Sequence, residues 1–545
     1  LSFYRATKQS LSVASKPPPR NFFHALIYLF LLFLPGYIAQ AQTSDVGRLM
    51  LLAFDTTISP PQELLERYHP SGFLFYVDDI PSSASLRSLT MQLEQTSDYP
   101  LIYGIDQEGG PFNAYQVDNA TRFPGNMMLA ATQNLELARA QGRAIGQELA
   151  YLGITMDFAP VADVNSNPDN PIIGIRSFSD KPEVVKEFAL AFSQGLESAG
   201  LAPVAKHFPG HGNTLSDSHL VLPRVDSSVE TLKQVDMLPF RNLLDLPAFM
   251  SAHVVYSSLD SKRPATLSPL ILTNLLRNEW GYQGVIISDY LDMQALTGHY
   301  SPGEAAVLAV EAGVDLLLVS YKPEQQREIY QALQDAVSSG RISEQRLAES
   351  IKRIERLTAQ FPSHAETVAL PDYQKHQELA QTIARAGTSL VLNDGILPLT
   401  LTQKIAVISP IIRQYGEEPR VADVLTQGGL NVSPVTFDKN PDEQKISEAV
   451  MAAEQSDIVI LGLFFWQGTF DQQLTKLYDS LIATGKPIIV IALGNPDILK
   501  YLSKTPNAFL ATYGFRSSNL GALSEILLGY QMPTTHTPTK ITLPE

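Results

Sequence analysis

The sequence predicts an α/β protein, a (β/α)8 TIM barrel followed by a smaller α/β sandwich domain. Three observations carry that prediction. Eight short apolar runs alternate with longer amphipathic stretches between residues 46 and about 360. A charged amphipathic helix and a polar stretch follow. A second alternating pattern then starts near residue 388. The 545 residues are enough for two or three domains, and 44% apolar against 18% charged residues suits a large buried core.

Residues 1–41 come first. They carry Arg5, Lys8, Lys16 and Arg20 and no acid, and a nearly unbroken apolar run extends from Phe22 to Leu34. Pro35 and Gly36 break that run, and Ala39-Gln40-Ala41 has the small-x-small pattern of a signal-peptidase site. This reads as a secretory signal peptide. The alternative, a membrane anchor, is disfavoured because the run falls short of the roughly 20 residues that span a bilayer. Removing residues 1–41 takes the net charge from −16 to −20. The expectation is a soluble, acidic protein, periplasmic or secreted in a bacterium, with no membrane anchor after cleavage.

The eight barrel runs are Leu49–Phe54, Phe73–Tyr76, Leu101–Ile105, Thr155–Ala159, Ala202–His207, Ala248–His253, Val285–Ser288 and Leu316–Ser320. Most are short, β-branched or aromatic, and bounded by Gly, Pro or Asp, as buried parallel strands are. Helix-like stretches such as Leu135–Leu152 and Pro182–Ala199 separate them. A doubly wound sheet is the alternative, but no Gly-x-Gly-x-x-Gly turn follows the first run. The barrel is expected over 46–360, and a linker and helix over 361–387. The sandwich domain is expected over 388–533, with strands at Ser389–Leu392, Ile405–Ile408, Ile458–Phe464, Ile488–Leu493 and Phe509–Thr512. The Thr- and Pro-rich residues 534–545 read as a loose tail.

Composition excludes several classes of function. With 40 basic against 56 acidic residues, the chain lacks the positive surface a nucleic-acid binder needs. The absence of cysteine removes disulfides, thiolate metal sites and cysteine nucleophiles.

Barrel chemistry gathers at the C-terminal ends of strands. Asp106, Lys206, His207, His253 and Asp289 all stand at the ends of apolar runs. One such residue alone reads as a helix cap or a core hydrogen bond, whereas five on one rim point to a site. The stretch Lys206–His219 holds three histidines. His207 and His211 have the spacing of a helical zinc pair, but Pro209 and Gly210 between them make a helix unfavourable, so no metal is assigned. The preferred reading is a Gly-rich loop carrying Asp217 and His219 over a pocket. There the Asp-x-His carboxylate orients the imidazole and tunes it as a proton donor. Asp289 points into the rim, and Asp292 reads as a first-turn helix residue. An aspartate opposite a proton donor suits covalent cleavage of a glycosidic bond.

These residues fall in motifs that resemble glycoside hydrolase family 3, in its bacterial β-N-acetylglucosaminidase (β-hexosaminidase) branch. They are Asp106–Gly110, Phe158–Asn165, Asn170–Phe178, Lys206–Gly212 with Asp217–His219, and Ser288–Met293. The resemblance implies a retaining mechanism in which Asp289 is the nucleophile. His219, paired with Asp217, is the acid/base. Asp106, Arg176, Lys206, His207 and Met293 are implied substrate-binding residues. The substrate is then a small carbohydrate bearing terminal β-linked N-acetylglucosamine, from peptidoglycan fragments or chitin oligosaccharides, with no cofactor.

The chain departs from the family pattern after Gly110. Where Arg-x-x-Arg is usual, positions 111–114 are Pro, Phe, Asn and Ala, and Arg122 is a candidate replacement. Tyr290 also stands where an acid is common. The alternatives are a β-N-acetylglucosaminide phosphorylase, a β-glucosidase of the same family, and a sugar-binding protein that has lost turnover.

Overall fold

The computed structural model describes residues 45–76, 79–412, 420–465 and 470–544. The predicted signal peptide lies outside the described residues.

The barrel strands are β1 (Met50–Ala53), β2 (Gly72–Phe75), β3 (Ile102–Ile105), β4 (Met156–Asp157), β5 (Ala202–Phe208), β6 (Ala248–Ser251), β7 (Val285–Ser288) and β8 (Leu317–Val319). Each pairs in parallel with its sequence neighbour, and β8 returns to β1. A parallel bridge from Ile287 to Leu316 joins β7 to the start of β8 and completes the ring. All eight predicted runs are therefore strands. Their residues are buried on both faces, which is why they read as apolar runs without alternation. Leu51, Leu74, Ile102, Met156, Val204, Met250, Ile287 and Leu318 fill the interior, and Ile354, Leu357 and Phe361 join that cluster.

Between strands the helices start where local chemistry favours them. Ser82, Asn134, Ser228 and Ser301 accept hydrogen bonds from first-turn N–H groups, and Pro61, Pro182, Pro302 and Pro323 open helices. Helices Leu135–Tyr151 and Pro182–Ser198 pack closely because glycines face the contact. A Cβ on Gly142 would lie 2.3 Å from the Phe192 carbonyl oxygen, and one on Gly195 would lie 2.2 Å from that of Arg139. At the N-terminal end of the barrel, buried Asp315 is ringed by Arg277, Arg346 and Arg353. That end serves stability and leaves the opposite rim for chemistry.

Helix Tyr373–Gly387 leads into a second sheet with strands β9 (Ser389–Asn393), β10 (Lys404–Pro410), β11 (Asn431–Phe437), β12 (Ile458–Leu463), β13 (Ile488–Ala492) and β14 (Ala508–Ala511). Its order is β9-β14-β13-β12-β10-β11, all parallel except the β9–β14 pair. Strand β11 has no counterpart among the predicted runs. It lies at the sheet edge, carries Pro434 and is buried only at Phe437, so it lacks an apolar run.

The tail is tied down rather than loose. Thr534 bridges to Ser389, whose hydroxyl donates to the His536 carbonyl, and the Ser179 hydroxyl bonds the Pro538 carbonyl. Lys540 N–H donates to Asp180 at 2.8 Å and Thr542 N–H to Asp497 at 3.0 Å. A Thr- and Pro-rich segment forms no helix or strand of its own, so its backbone groups find side-chain partners on both domains. No described helix is long and apolar enough to cross a membrane.

Candidate active site

A pocket opens at the C-terminal end of the barrel. Asp106, Arg176, Lys206, His207, His219 and Asp289 line it, so six of the predicted site residues converge from four strand ends. Asp217 stands behind His219. Met293 does not line the pocket: it is buried at the start of helix Gln294–Thr297, where the turn after β7 carries the chain back inward. Asp292 precedes that helix instead of sitting in its first turn, and pairs with Lys322 at 3.0 Å.

Asp289 follows β7, and its carboxylate accepts the Tyr290 N–H at 2.7 Å. Burial pushes its carboxyl up, but the His207 and His253 imidazoles and the Tyr290 N–H outweigh that and hold it at about 2. It is therefore ionised at neutral pH. His253, one of the five rim candidates, is buried and outside the pocket lining. Its Nε2 lies 3.1 Å from the Tyr290 carbonyl and its Nδ1 2.8 Å from the Thr266 hydroxyl, so it braces the segment that carries Asp289.

On the loop after β5, one oxygen of Asp217 accepts both the His219 N–H and the His219 Nδ1–H, each at 2.8 Å. That bond places the Nδ1 proton and leaves Nε2 as the working nitrogen. The Asp217 hydrogen bond raises the His219 pKa, with burial opposing and the Asp289 charge assisting. The imidazole thus carries its proton at higher pH than an isolated histidine does.

The pocket is also lined by an ion cluster, buried except at Asp106. Arg176 binds Glu108 through two nitrogens, at 2.7 and 3.0 Å. Lys206 Nζ lies 2.6 Å from Glu108 and 2.5 Å from Asp106. Burial pushes the Glu108 carboxyl up, but Arg176 and Lys206 together bring it down to about 2. The Phe112 ring covers the Arg176 guanidinium at 4.4 Å. His207 is held through Nδ1 by Asp163 at 2.7 Å, and the same buried carboxylate accepts the N–H groups of His207 and His211.

Sequence reasoning missed Glu108, Phe112 and Asp163 as site members, although each falls in or beside a quoted motif. A buried carboxylate between two cations shows no signal until its partners, which come from other strands, are placed beside it. Arg122 does not replace the missing arginine. It turns to Gln116, with Nη1 2.8 Å from the side-chain oxygen, and does not line the pocket. Nor do His207 and His211 converge on a metal: the second is held between the Thr214 and Ser218 hydroxyls. Among the described residues no group of three or more His, Asp or Glu forms a metal-binding cluster.

Residues 45–357 match the glycosyl hydrolase family 3 N-terminal domain. The chain belongs to glycoside hydrolase family 3. It is 38% identical over 377 residues to β-hexosaminidase A of Pseudoalteromonas piscicida, spanning 63% of each chain. It is 33% identical over 325 residues to a β-hexosaminidase of Nitrosomonas eutropha, covering 57% of this chain and 92% of that one. The solved family 3 β-N-acetylglucosaminidase of Paenibacillus sp. superposes with a TM-score of 0.86 at 32% identity, covering 92% of this chain and 99% of that one. These relatives place it on the β-hexosaminidase branch and support glycosidase activity. The barrel followed by an α/β sandwich is the architecture it shares with the Paenibacillus enzyme.

Proposed function

We propose that the protein is an exported retaining β-N-acetylhexosaminidase that removes terminal β-linked N-acetylglucosamine from peptidoglycan fragments or chitin oligosaccharides. The observation that carries this reading is one pocket lined by an ionised Asp289 and by an exposed His219 whose Nδ1 is bound to Asp217. Asp289 attacks the anomeric carbon. The bond to the leaving oxygen breaks, and that oxygen takes the proton from His219 Nε2. In the second step water gives its proton to His219 and attacks the same carbon, releasing Asp289. Two displacements retain the configuration. Glu108, Arg176, Lys206 and Asp106 hold the sugar while this happens.

A panel of nitrophenyl glycosides tests the reading. N-Acetylglucosaminide should be cleaved far better than glucoside, and the first product seen by NMR should keep its configuration. Preference for glucoside would overturn the branch specificity, and inversion would overturn the mechanism. The phosphorylase reading is favoured by one feature: a histidine in place of a carboxylate tolerates an incoming phosphate. Rates with and without phosphate separate the two. Export rests on residues 1–41, and N-terminal sequencing of the mature protein should begin at Gln42.

A further inference from the structure

The second domain touches the barrel rim at chosen places. Arg516 lies at the start of the short helix Ser517–Leu520 and is only 1% exposed. Its Nε donates to the Gly110 carbonyl at 2.7 Å and an Nη to the Pro111 carbonyl at 3.3 Å. These are the residues immediately before Phe112, which lines the pocket and covers Arg176. The turn they form uses the left-handed conformation open to glycine, with Gly109 at φ +84° and Gly110 at φ +63°. A second grip falls on the loop after β4. Lys500 Nζ lies 2.8 Å from Asp169, the Tyr501 hydroxyl 3.3 Å from the same oxygen, and the Asn495 amide donates to the Pro168 carbonyl at 3.4 Å. That loop runs on through Asn170, which binds the Ile172 and Ile173 N–H groups, to Ile172 and Arg176 in the pocket. Among the described residues, no second-domain hydrogen bond reaches the Asp217–His219 loop or Asp289.

We infer that the second domain is a positioning device for the sugar-holding wall of the pocket and not for its chemical groups, acting chiefly through Arg516 on the Gly110–Phe112 turn and secondarily through Lys500 on the Asp169–Arg176 loop. The inference rests on the sugar-holding role proposed above for Glu108 and Arg176. A buried guanidinium bonded to two carbonyls fixes the turn more firmly than neutral contacts do, because charge-assisted hydrogen bonds in a water-poor site are the strong ones. The pocket wall is thus braced from behind by a residue from outside the barrel, at the point where this chain lacks the arginines usual after Gly110. Loosening the turn frees Phe112 to leave Arg176. It weakens ground state and transition state alike, which raises KM and leaves kcat in place.

The test measures kcat and KM on 4-nitrophenyl N-acetyl-β-glucosaminide, the inhibition constant of free N-acetylglucosamine, and the melting temperature of the full chain. Arg516→Met should raise KM and the inhibition constant about tenfold with kcat within about twofold of wild type, as loss of a charged hydrogen bond predicts. Arg516→Lys, which keeps the charge, should recover part of the loss. Phe112→Ala should show the same signature, and the double variant should be little worse than the worse single. Wild-type KM and inhibition constant in Arg516→Met, or a fall in kcat with KM unchanged, would overturn the inference. If Arg516→Met does not fold, half-buried Lys500→Ala decides, with about a threefold rise in KM expected and no change overturning it. If wild type prefers glucoside, the proposed specificity fails by itself, and the same ratios taken on glucoside still decide the role of Arg516.

Discussion

The two sides of the pocket are built to opposite plans. Glu108, Arg176 and Lys206 have side chains 2%, 6% and 3% exposed, locked by mutual ion pairs. In the same pocket the His219 side chain is 55% exposed and rests on a single carboxylate oxygen of Asp217. A wall that only holds a sugar gains from being rigid and dry before the sugar arrives. A proton shuttle has to exchange its proton with solvent in every cycle, and burial would cost it the charged form. The difference explains why one side rests on the barrel core and the second domain while the other sits on a loop.

The widest separation is expected from Asp289→Ala, which serves neither plan but the bond itself. It should lower kcat by about 10⁴-fold with the melting temperature little changed, and a 2-fluoro sugar should label Asp289 in the wild type. Labelling at Asp292 would move the nucleophile.

His219→Ala comes next and isolates the exposed side. With a disaccharide the loss should reach about 10²- to 10⁴-fold. It should be much smaller for glycosylation by a nitrophenyl substrate, whose leaving group needs little protonation. Equal survival on both substrates would place the proton donor elsewhere.

Glu108→Gln breaks the buried side. It should raise KM strongly and lower stability by about 3 kcal/mol, since Arg176 and Lys206 are left buried and undercompensated. The Glu108 carboxyl is held at about 2 against an ordinary 4.5. Its share of stability is therefore complete above the ordinary value and lost as pH falls through the lowered one. Thermal melts against pH should show this acid limb in the wild type and a flatter one in the variant.

Asp217→Asn should be milder, about tenfold. The alkaline limb of kcat/KM should move to lower pH, because the histidine pKa that Asp217 raises falls back and the proton donor is lost sooner as pH rises. Smallest of all, Arg122→Ala should leave KM unchanged, since Arg122 faces Gln116 and not the pocket.

Much of this was legible in the sequence because the relevant physics is local. The eight barrel strands stand out because strands buried on both faces must be apolar along their whole length. Asp289, Lys206 and His207 stand out because a strand end followed by a polar residue has one usual meaning in a barrel, and His219 through the Asp-x-His pattern on the following loop. Edge strand β11 was hidden for the converse reason: Asn431–Phe437 is buried only at Phe437 and contains Pro434. Met293 belongs to the Ser288–Met293 motif, but the turn from Tyr290 to Met293 leaves its side chain buried at the start of the next helix. The tail looked loose because its partners, Ser179, Asp180, Ser389 and Asp497, lie far from it in the chain.

By itself, then, the sequence determined the order of strands and helices, the division into barrel and sandwich, and which rim positions carry charge. Each of these depends on a few neighbouring residues at a time. Only the tertiary structure decided which charges meet. Lys206 and Asp106 are 100 residues apart, Arg176 and Glu108 are 68 apart, and Arg516 reaches a carbonyl 406 residues away. Contacts of that range depend on the closure of the ring and the seating of one domain on the other. The periodicity of any single segment does not encode them.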